Sequence, residues 1–220
     1  MLRLLFPCLI VLTANAFAAS SAPALSLGVE TLIQAGGPEG DVIELTNRSS
    51  RGVRISSVVI DFQSSRGELI VDAGADGLGS GEWRDVVVTH AGDTGFTGIT
   101  GNVGDKSLDG ASQIILDFSE FDAGETFRLT LDLDPLDPRK GAAVDGGLLA
   151  DTMVTVYFEG EDFGFVRLFG SYAQIGADAA GTTLCDERPD APTVPEPATF
   201  GLVGLGMAGV GWFRRKKLRR

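Results

Sequence analysis

The feature that most constrains the fold of this chain is a segment in which apolar and polar residues alternate with a period of two. The segment Phe127–Asp134 reads F-R-L-T-L-D-L-D. Successive side chains of an extended strand point to opposite faces of a sheet, so this alternation predicts a strand with one buried and one wet face.

Eight other segments are also rich in β-branched and aromatic residues, and clusters of Gly, Asp, Asn and Ser separate them. No long amphipathic helix is evident. We therefore predict an all-β protein, an antiparallel β-sandwich of about eight to nine strands, with a barrel as the second choice. The nine predicted strands are Ser26–Ile33, Asp41–Thr46, Val53–Phe62, Glu68–Asp72, Glu82–Thr89, Gln113–Phe118, Phe127–Asp134, Asp151–Glu159 and Phe163–Tyr172.

The N-terminus has the pattern of a secretory signal peptide. Arg3 supplies a positive charge, Leu4–Leu12 is apolar, and Ala16-Phe17-Ala18 matches an A-x-A cleavage site. This order of charge, apolar run and small residues is typical of signal peptides that are removed after residue 18. The protein is therefore predicted to be exported.

The C-terminus combines three segments with different properties. Pro195-Glu196-Pro197 forms a stiff turn, residues 198–213 carry no charge, and residues 214–220 are almost all basic. Sixteen helical residues rise about 24 Å, slightly less than the ~30 Å hydrocarbon core, and local thinning can cover the difference. We predict one transmembrane helix with its basic end in the cytoplasm. The basic residues are Arg214, Arg215, Lys216, Lys217, Arg219 and Arg220.

The order of these three segments resembles the PEP-CTERM sorting signal of Gram-negative bacteria. The resemblance implies that the exported protein is held in the inner membrane through its C-terminal helix. It also implies processing near Pro195-Glu196-Pro197 by the membrane protease exosortase, followed by placement at the cell surface or outside the cell. The family is associated with exopolysaccharide and biofilm. Because the resemblance covers only the C-terminal end, it concerns how the protein is sorted.

The predicted order of domains is a signal peptide (1–18), a β-sandwich (19–185), a Pro-rich linker (186–197), a transmembrane helix (198–213) and a basic cytoplasmic tail (214–220). The whole chain has 18 basic and 30 acidic residues. Without the signal peptide and the C-terminal sorting segment, 11 basic and 29 acidic residues remain, so the net charge of the body is about −18. Such a surface repels nucleic acid, which we exclude as a partner.

Cysteine and histidine are too few for several classes of site. Cys8 is removed with the signal peptide, which leaves Cys185 as a single thiol that is either buried or able to join another chain. His90 is the only histidine, so a zinc site of several His and Cys ligands is excluded. No G-x-S-x-G motif is present.

Carboxylates are the abundant reactive groups. Asp132, Asp134 and Asp137 lie where the alternating strand enters a proline turn, and Asp72 and Asp76 lie in a second acidic, Gly-rich segment. Clustered oxygen ligands at loops suit calcium, which is the candidate cofactor, with Asp132, Asp134 and Asp137 as its ligands. The alternative is that both segments are solvated surface.

The sequence predicts a non-catalytic protein: a structural, adhesive or exopolysaccharide-associated component of the cell envelope. A narrower form of this prediction is a calcium-dependent carbohydrate-binding module, in which Trp83 is either a sugar-stacking residue or part of the core. The alternative is a secreted glycosidase-like hydrolase that uses paired carboxylates. An enzyme needs carboxylates that converge in a pocket, whereas a matrix protein can act through its surface alone.

Overall fold

A computed structural model describes residues 25–37, 40–74, 83–103, 108–137, 139, 143–161 and 164–187. Residues 25–191 form one compact unit, and all the buried core residues of the described part lie between Leu27 and Leu184. This unit therefore contains its own hydrophobic core. The predicted signal peptide, most of the linker, the transmembrane helix and the basic tail lie outside the described residues.

The described residues form mainly β-strands, with a short 3-10 turn at Phe62–Ser64 and a four-residue helix α1 at Gly146–Leu149. The strands are β1 Ser26–Gly37, β2 Gly40–Asn47, β3 Arg54–Asp61, β4 Leu69–Val71, β5 Val87–His90, β6 Phe96–Gly101, β7 Gln113–Phe121, β8 Thr126–Leu131, β9 Leu133–Pro135, β10 Met153–Gly160, β11 Gly164–Ser171, β12 Ala173–Gln174 and β13 Ala179–Glu187.

Two large antiparallel sheets and one small sheet account for these strands. The first sheet has the order β12-β13-β1-β2-β8-β5, and the second has the order β11-β10-β3-β7-β6. Strands β4 and β9 form a separate two-stranded sheet. Three of the five neighbouring pairs in the first sheet and two of the four in the second are distant in sequence, which requires long connections between them.

Apolar side chains from both large sheets meet in one core. Ile43 and Phe127 from the first sheet and Ile60 and Phe158 from the second are fully buried members of a single cluster. Strand β10 shows why these side chains reach the core: it is rich in β-branched and aromatic residues, and every second side chain from Val154 to Phe158 is buried. The core between two antiparallel sheets confirms the predicted sandwich.

Four aromatic rings, here called the phenylalanine cluster, contact one another within this core: Phe96, Phe118, Phe121 and Phe127. The ring centroids of Phe96 and Phe127 are 4.8 Å apart, and those of Phe118 and Phe127 are 5.0 Å apart in an edge-on arrangement. These separations are typical of favourable aromatic pairs. The cluster joins β6 and β7 of the second sheet to β8 of the first.

The buried side chain of Asn47 fixes the loop between β2 and β3. Its amide nitrogen donates to the carbonyls of Val53 (3.3 Å) and Phe121 (2.9 Å), and its oxygen accepts from the N–H of Ser49 (3.0 Å). All the polar atoms of this amide therefore have a partner, which offsets the cost of its burial.

The segment Phe127–Asp134 is not the single strand that its alternation predicts. The chain leaves the first sheet at Asp132, and β9 pairs with β4 instead. The polar positions are not uniformly wet either, because Thr130 is 6% and Asp134 2% exposed. Asp134 lies in the small sheet, and the hydroxyl of Thr130 donates to the carbonyl of Val87 in β5 at 3.4 Å, so neither position is on an open face.

The other differences concern strands of weak hydrophobicity. Strands β6, β12 and β13 were not predicted, since glycine, alanine and threonine dominate their sequences. The strand predicted from Glu82 begins only at Val87, and Trp83 to Val86 belong to no strand. Strand β13 continues to Glu187, two residues beyond the predicted end of the sandwich at residue 185.

Candidate functional site

Three buried carboxyl groups lie near the small sheet and form what we call the acidic corner: Asp41, Asp72 and Asp134. They are 5%, 2% and 2% exposed, respectively. Charged groups are rarely this buried unless they are paired or bound to a metal. The corner is therefore the described region whose chemistry most needs an explanation.

Asp41 links the β1–β2 turn to the beginning of β9. Its Oδ1 accepts from the N–H of Gly36 and its Oδ2 from the N–H of Leu133, both at 2.9 Å. Burial nevertheless raises the pKa of Asp41 to about 6, because the two N–H donors only partly compensate for lost hydration. The charge of Asp134 raises this pKa further, whereas Arg84 lowers it.

Asp72 and Asp134 come from different segments and share a hydrogen bond between their side chains. The backbone brings them together, since Ile70 pairs with Asp134 and the N–H of Asp72 donates to the carbonyl of Asp132 at 2.9 Å. Burial raises the pKa of Asp72 to about 6, and the hydrogen bond and negative charge of Asp134 add to this effect. A hydrogen bond between two carboxyl groups requires a proton on one of them.

The second oxygen of Asp72 is buried and has no hydrogen-bond partner in the described structure. An unsatisfied buried acceptor costs about 1–3 kcal/mol. Asp109 lies close by, where its carboxylate accepts from the N–H of Ala73 at 3.2 Å and its charge also raises the pKa of Asp72. The ionised form of Asp72 is therefore less favourable here than in water.

The three predicted calcium ligands are placed in different surroundings. Asp134 belongs to the acidic corner, and Asp132 is half-buried between β8 and β9. Asp137 forms an ion pair with Arg139, with contacts of 2.9 and 3.0 Å. Within the described residues, no three His, Cys, Asp or Glu side chains are arranged to hold a metal ion. The geometry thus offers no preformed site made from the predicted trio, and calcium binding stays a prediction.

Trp83 and Cys185, two residues singled out from the sequence, are both on the surface. Trp83 is 43% exposed and precedes β5, so it is not a core residue. A role in sugar stacking stays a prediction. The Cys185 thiol is exposed on β13, which leaves it accessible to another chain.

Two surface depressions lie apart from the acidic corner. One, of about 410 Å³, is lined by Leu25, Arg51, Gly52, Arg54, Asp122, Gly160 and Glu161. The other, of about 400 Å³, is lined by Thr89, His90, Thr126 and Arg128. Neither contains a residue of the acidic corner, so the carboxyl groups with raised pKa do not open into these depressions.

Part of the acidic corner could be anticipated from the sequence and part could not. The acidic segments containing Asp72 and Asp134 were each recognised, but nothing in the sequence indicated that they meet. Asp41 was missed because it begins a predicted strand, and nothing in its local sequence distinguishes it from the nearby Glu39 and Glu44. Its signal is the preceding glycine turn, whose N–H groups need an acceptor.

In the described part of the chain, no helix is long and apolar enough to cross a membrane. The segment predicted to do so, residues 198–213, lies outside that part. The finding therefore does not bear on the predicted anchor.

Comparison with known families gives one match, the PEP-CTERM protein-sorting motif, at residues 193–216. No curated protein and no solved structure is detectably similar to the chain. The matched range contains Pro195, Glu196, Pro197 and the basic residues Arg214, Arg215 and Lys216. This confirms the resemblance noted from the sequence. The motif marks an exported protein that is anchored in the membrane and processed by exosortase.

Proposed function

We propose that this exosortase-sorted protein is a non-catalytic component of the cell envelope or extracellular material, with a structural, adhesive or exopolysaccharide-associated role. The observation that carries the proposal is the sorting motif at residues 193–216, which follows in sequence after a compact β-sandwich. The motif directs the attached domain to the membrane and then to the cell surface or outside the cell, and the β-sandwich is that domain.

The burial of the acidic corner supports a non-catalytic role. A glycosidase needs a carboxylic acid of raised pKa that reaches the glycosidic oxygen of its substrate. Asp41 and Asp72 have such a pKa, but they are only 5% and 2% exposed and line neither depression. Burial is the largest cause of both raised pKa values, and the same burial keeps the two side chains away from a substrate.

A secreted hydrolase is the second candidate function, and one observation favours it. The depression of about 410 Å³ holds the carboxylates Asp122 and Glu161 beside Arg51 and Arg54. Under this alternative the isolated body cleaves a polysaccharide, and Asp122→Asn and Glu161→Gln each abolish the cleavage. Under our proposal the body releases no reducing sugar from any polysaccharide tested, whatever residues occupy these positions.

Glycan binding tests the narrower version of the proposal. A glycan array probed with residues 25–191, with and without calcium, would identify a carbohydrate ligand. If Trp83 stacks on a sugar, Trp83→Ala weakens binding by about 1–3 kcal/mol, a typical contribution of an exposed aromatic platform. Leu136→Ala, which removes another exposed apolar side chain outside β11, is the control.

Sorting is tested by removing the positive charge of the tail. Replacing Arg214, Arg215, Lys216, Lys217, Arg219 and Arg220 with Ser should reduce retention in the inner membrane and alter C-terminal processing, because positive charge holds this end on the cytoplasmic side. Cell fractionation and mass spectrometry of the C-terminus measure both effects.

The control for this experiment exchanges each Arg for Lys and each Lys for Arg, which keeps the charge and should keep sorting intact. If the Ser variant is retained and cut like the unmodified chain, the basic cluster has no role in sorting. If the charge-preserving variant also fails, the side chains themselves are recognised rather than their charge.

A further inference from the structure

Strand β11 is an edge strand that lacks the usual protection against pairing. Each large sheet has two edges: β11 and β6 in one, β12 and β5 in the other. Strand β11 pairs with β10 over eight residues in an unbroken register. In contrast, the register is interrupted in β5 and β6, and β12 has two residues. Short or bulged edges resist association, whereas long regular ones favour it.

The outer face of β11 is unusually apolar for an edge. Phe165 is 78% and Phe169 68% exposed, and Arg167 lies between them on the same face. The alternate residues Val166 and Leu168 pack against the core. Two exposed phenylalanines are thus held in fixed positions by a strand whose other face is anchored in the sandwich.

The backbone N–H and C=O groups of Phe165, Arg167 and Phe169 point away from β10, toward the open edge of the sheet. The N–H of Tyr172 donates to the carbonyl of Thr152 at 2.9 Å, which continues the β10–β11 register by one position. In an antiparallel ladder, hydrogen-bonded and non-hydrogen-bonded pairs alternate. The residues of β11 that bond to β10 are therefore the even-numbered ones, and Phe165, Arg167 and Phe169 direct their N–H and C=O groups outward.

We propose that β11 pairs antiparallel with β11 of a second copy of this chain, joining two five-stranded sheets into one. An occupant of this edge must supply a strand, because the outward groups are backbone donors and acceptors in regular spacing. When Leu168 lies opposite its equivalent, each Arg167 lies opposite Phe169 of the other copy. This register avoids placing like charges opposite each other and forms two symmetric cation–π pairs.

The assembly closes as a dimer because each chain has one such edge among its described strands. The bulges in β5 and β6 and the shortness of β12 make further addition unfavourable. The body's net charge of about −18 opposes association of two copies. Dimerisation should therefore strengthen as sodium chloride is added, since salt screens this repulsion but has little effect on backbone pairing.

Analytical ultracentrifugation of residues 25–191 carrying Cys185→Ser tests the proposal, because the substitution excludes disulfide-linked dimers. The expected result is a reversible dimer that tightens with salt. Phe169→Lys should weaken it by at least about tenfold, since it removes an apolar contact and places a second positive charge opposite Arg167. Val87→Lys, at an exposed apolar residue on the bulged edge β5, is the matched control and should leave the dimer unchanged.

Arg167→Pro tests the backbone directly. Its N–H points outward, so proline removes a donor from the intermolecular ladder and none from the β10–β11 ladder. The variant should remain folded, with an unchanged circular dichroism spectrum, and be monomeric. A wild-type body that stays monomeric at high micromolar concentration and high salt would overturn the proposal. So would a dimer that survives both Phe169→Lys and a folded Arg167→Pro variant.

Discussion

The most buried rings of the phenylalanine cluster and the carboxyl groups of the acidic corner are buried to a similar extent, but burial affects their free energies in opposite ways. Phe121 and Phe127 are 0% exposed, and Asp72 and Asp134 are 2% exposed. Removing the rings from water stabilises the folded state, and their mutual contacts add to this. Removing the carboxyl groups from water costs free energy that their hydrogen bonds offset only in part. Burial alone therefore does not identify a stabilising residue.

This comparison bears on function. A strongly perturbed pKa often marks a catalytic site, and a search based on pKa alone would select Asp41 and Asp72. Both side chains are buried and form hydrogen bonds with other parts of the sandwich. We therefore interpret the acidic corner as a structural feature of the β-sandwich. The C-terminal sorting motif carries the signal that determines where the protein is placed.

The largest effect is expected from opening a cavity in the phenylalanine cluster. Phe127→Ala removes a fully buried ring that contacts both Phe96 and Phe118, and should lower the free energy of unfolding by about 3–5 kcal/mol. Urea denaturation of residues 25–191 measures the loss. Ile175→Ala, at a side chain that is 63% exposed and outside β11, should change stability by less than about 0.5 kcal/mol. Equal losses for the two variants would contradict the assignment of the core.

The buried amide of Asn47 has a partner for each of its polar atoms, so its removal should destabilise the fold as the removal of a core side chain does. Asn47→Ala leaves the carbonyls of Val53 and Phe121 and the N–H of Ser49 without a side-chain partner. We expect a loss of about 2–3 kcal/mol, measured by the same denaturation. Gln34→Ala, at an exposed position of β1, is the control for loss of an amide. If Asn47→Ala is as stable as the control variant, the loop between β2 and β3 is not held by this amide.

Calcium should have the smallest effect. Millimolar calcium and sodium at matched ionic strength should both raise the melting temperature, because each screens the negative body, and a calcium site that includes Asp134 would add a rise specific to calcium. Thermal melts in calcium, chelator and matched sodium make the comparison. A rise specific to calcium that Asp134→Ala removes would restore the calcium site predicted from the sequence.

The sandwich could be predicted because its strongest strands follow simple patterns. The alternation in β8 and the β-branched and aromatic residues of β10 correctly indicated buried faces. Strand β13 could not be predicted from A-A-G-T-T-L-C-D-E, because tertiary pairing with β1 rather than local hydrophobicity makes it a strand. The same holds for β9, which follows β8 in sequence but pairs with β4.

The candidate site was harder to predict than the fold. Asp72 and Asp134 are 62 positions apart in the sequence, and only the pairing of β4 with β9 brings them together. The sequence pattern assigned Asp134 to a wet face, and its burial depends on the small sheet, which the pattern does not reveal. In contrast, the sorting motif was recognisable because its information is local: a turn, an apolar run and a basic end in a fixed order.

The most direct test of this account is the pH dependence of stability in Asp72→Asn. The pKa of Asp72 is raised from 3.8 to about 6 in the folded state. The contribution of protonated Asp72 to the stability of the fold is therefore fully present below pH 3.8 and is lost as the pH rises to about 6. Asparagine cannot ionise and can still donate to Asp134. The variant should therefore be more stable than the unmodified body by about 1–3 kcal/mol at pH 7.5, and by less than about 1 kcal/mol at pH 4.

Urea denaturation of residues 25–191 at a series of pH values gives this difference, with Asp117→Asn, at an exposed position of β7, as the control for loss of one negative charge. The account predicts a stabilisation that grows between pH 4 and pH 6 for Asp72→Asn and no such growth for Asp117→Asn. A loss of stability at pH 7.5 in Asp72→Asn, or a difference that does not vary with pH, would contradict the claim that burial of the acidic corner costs free energy.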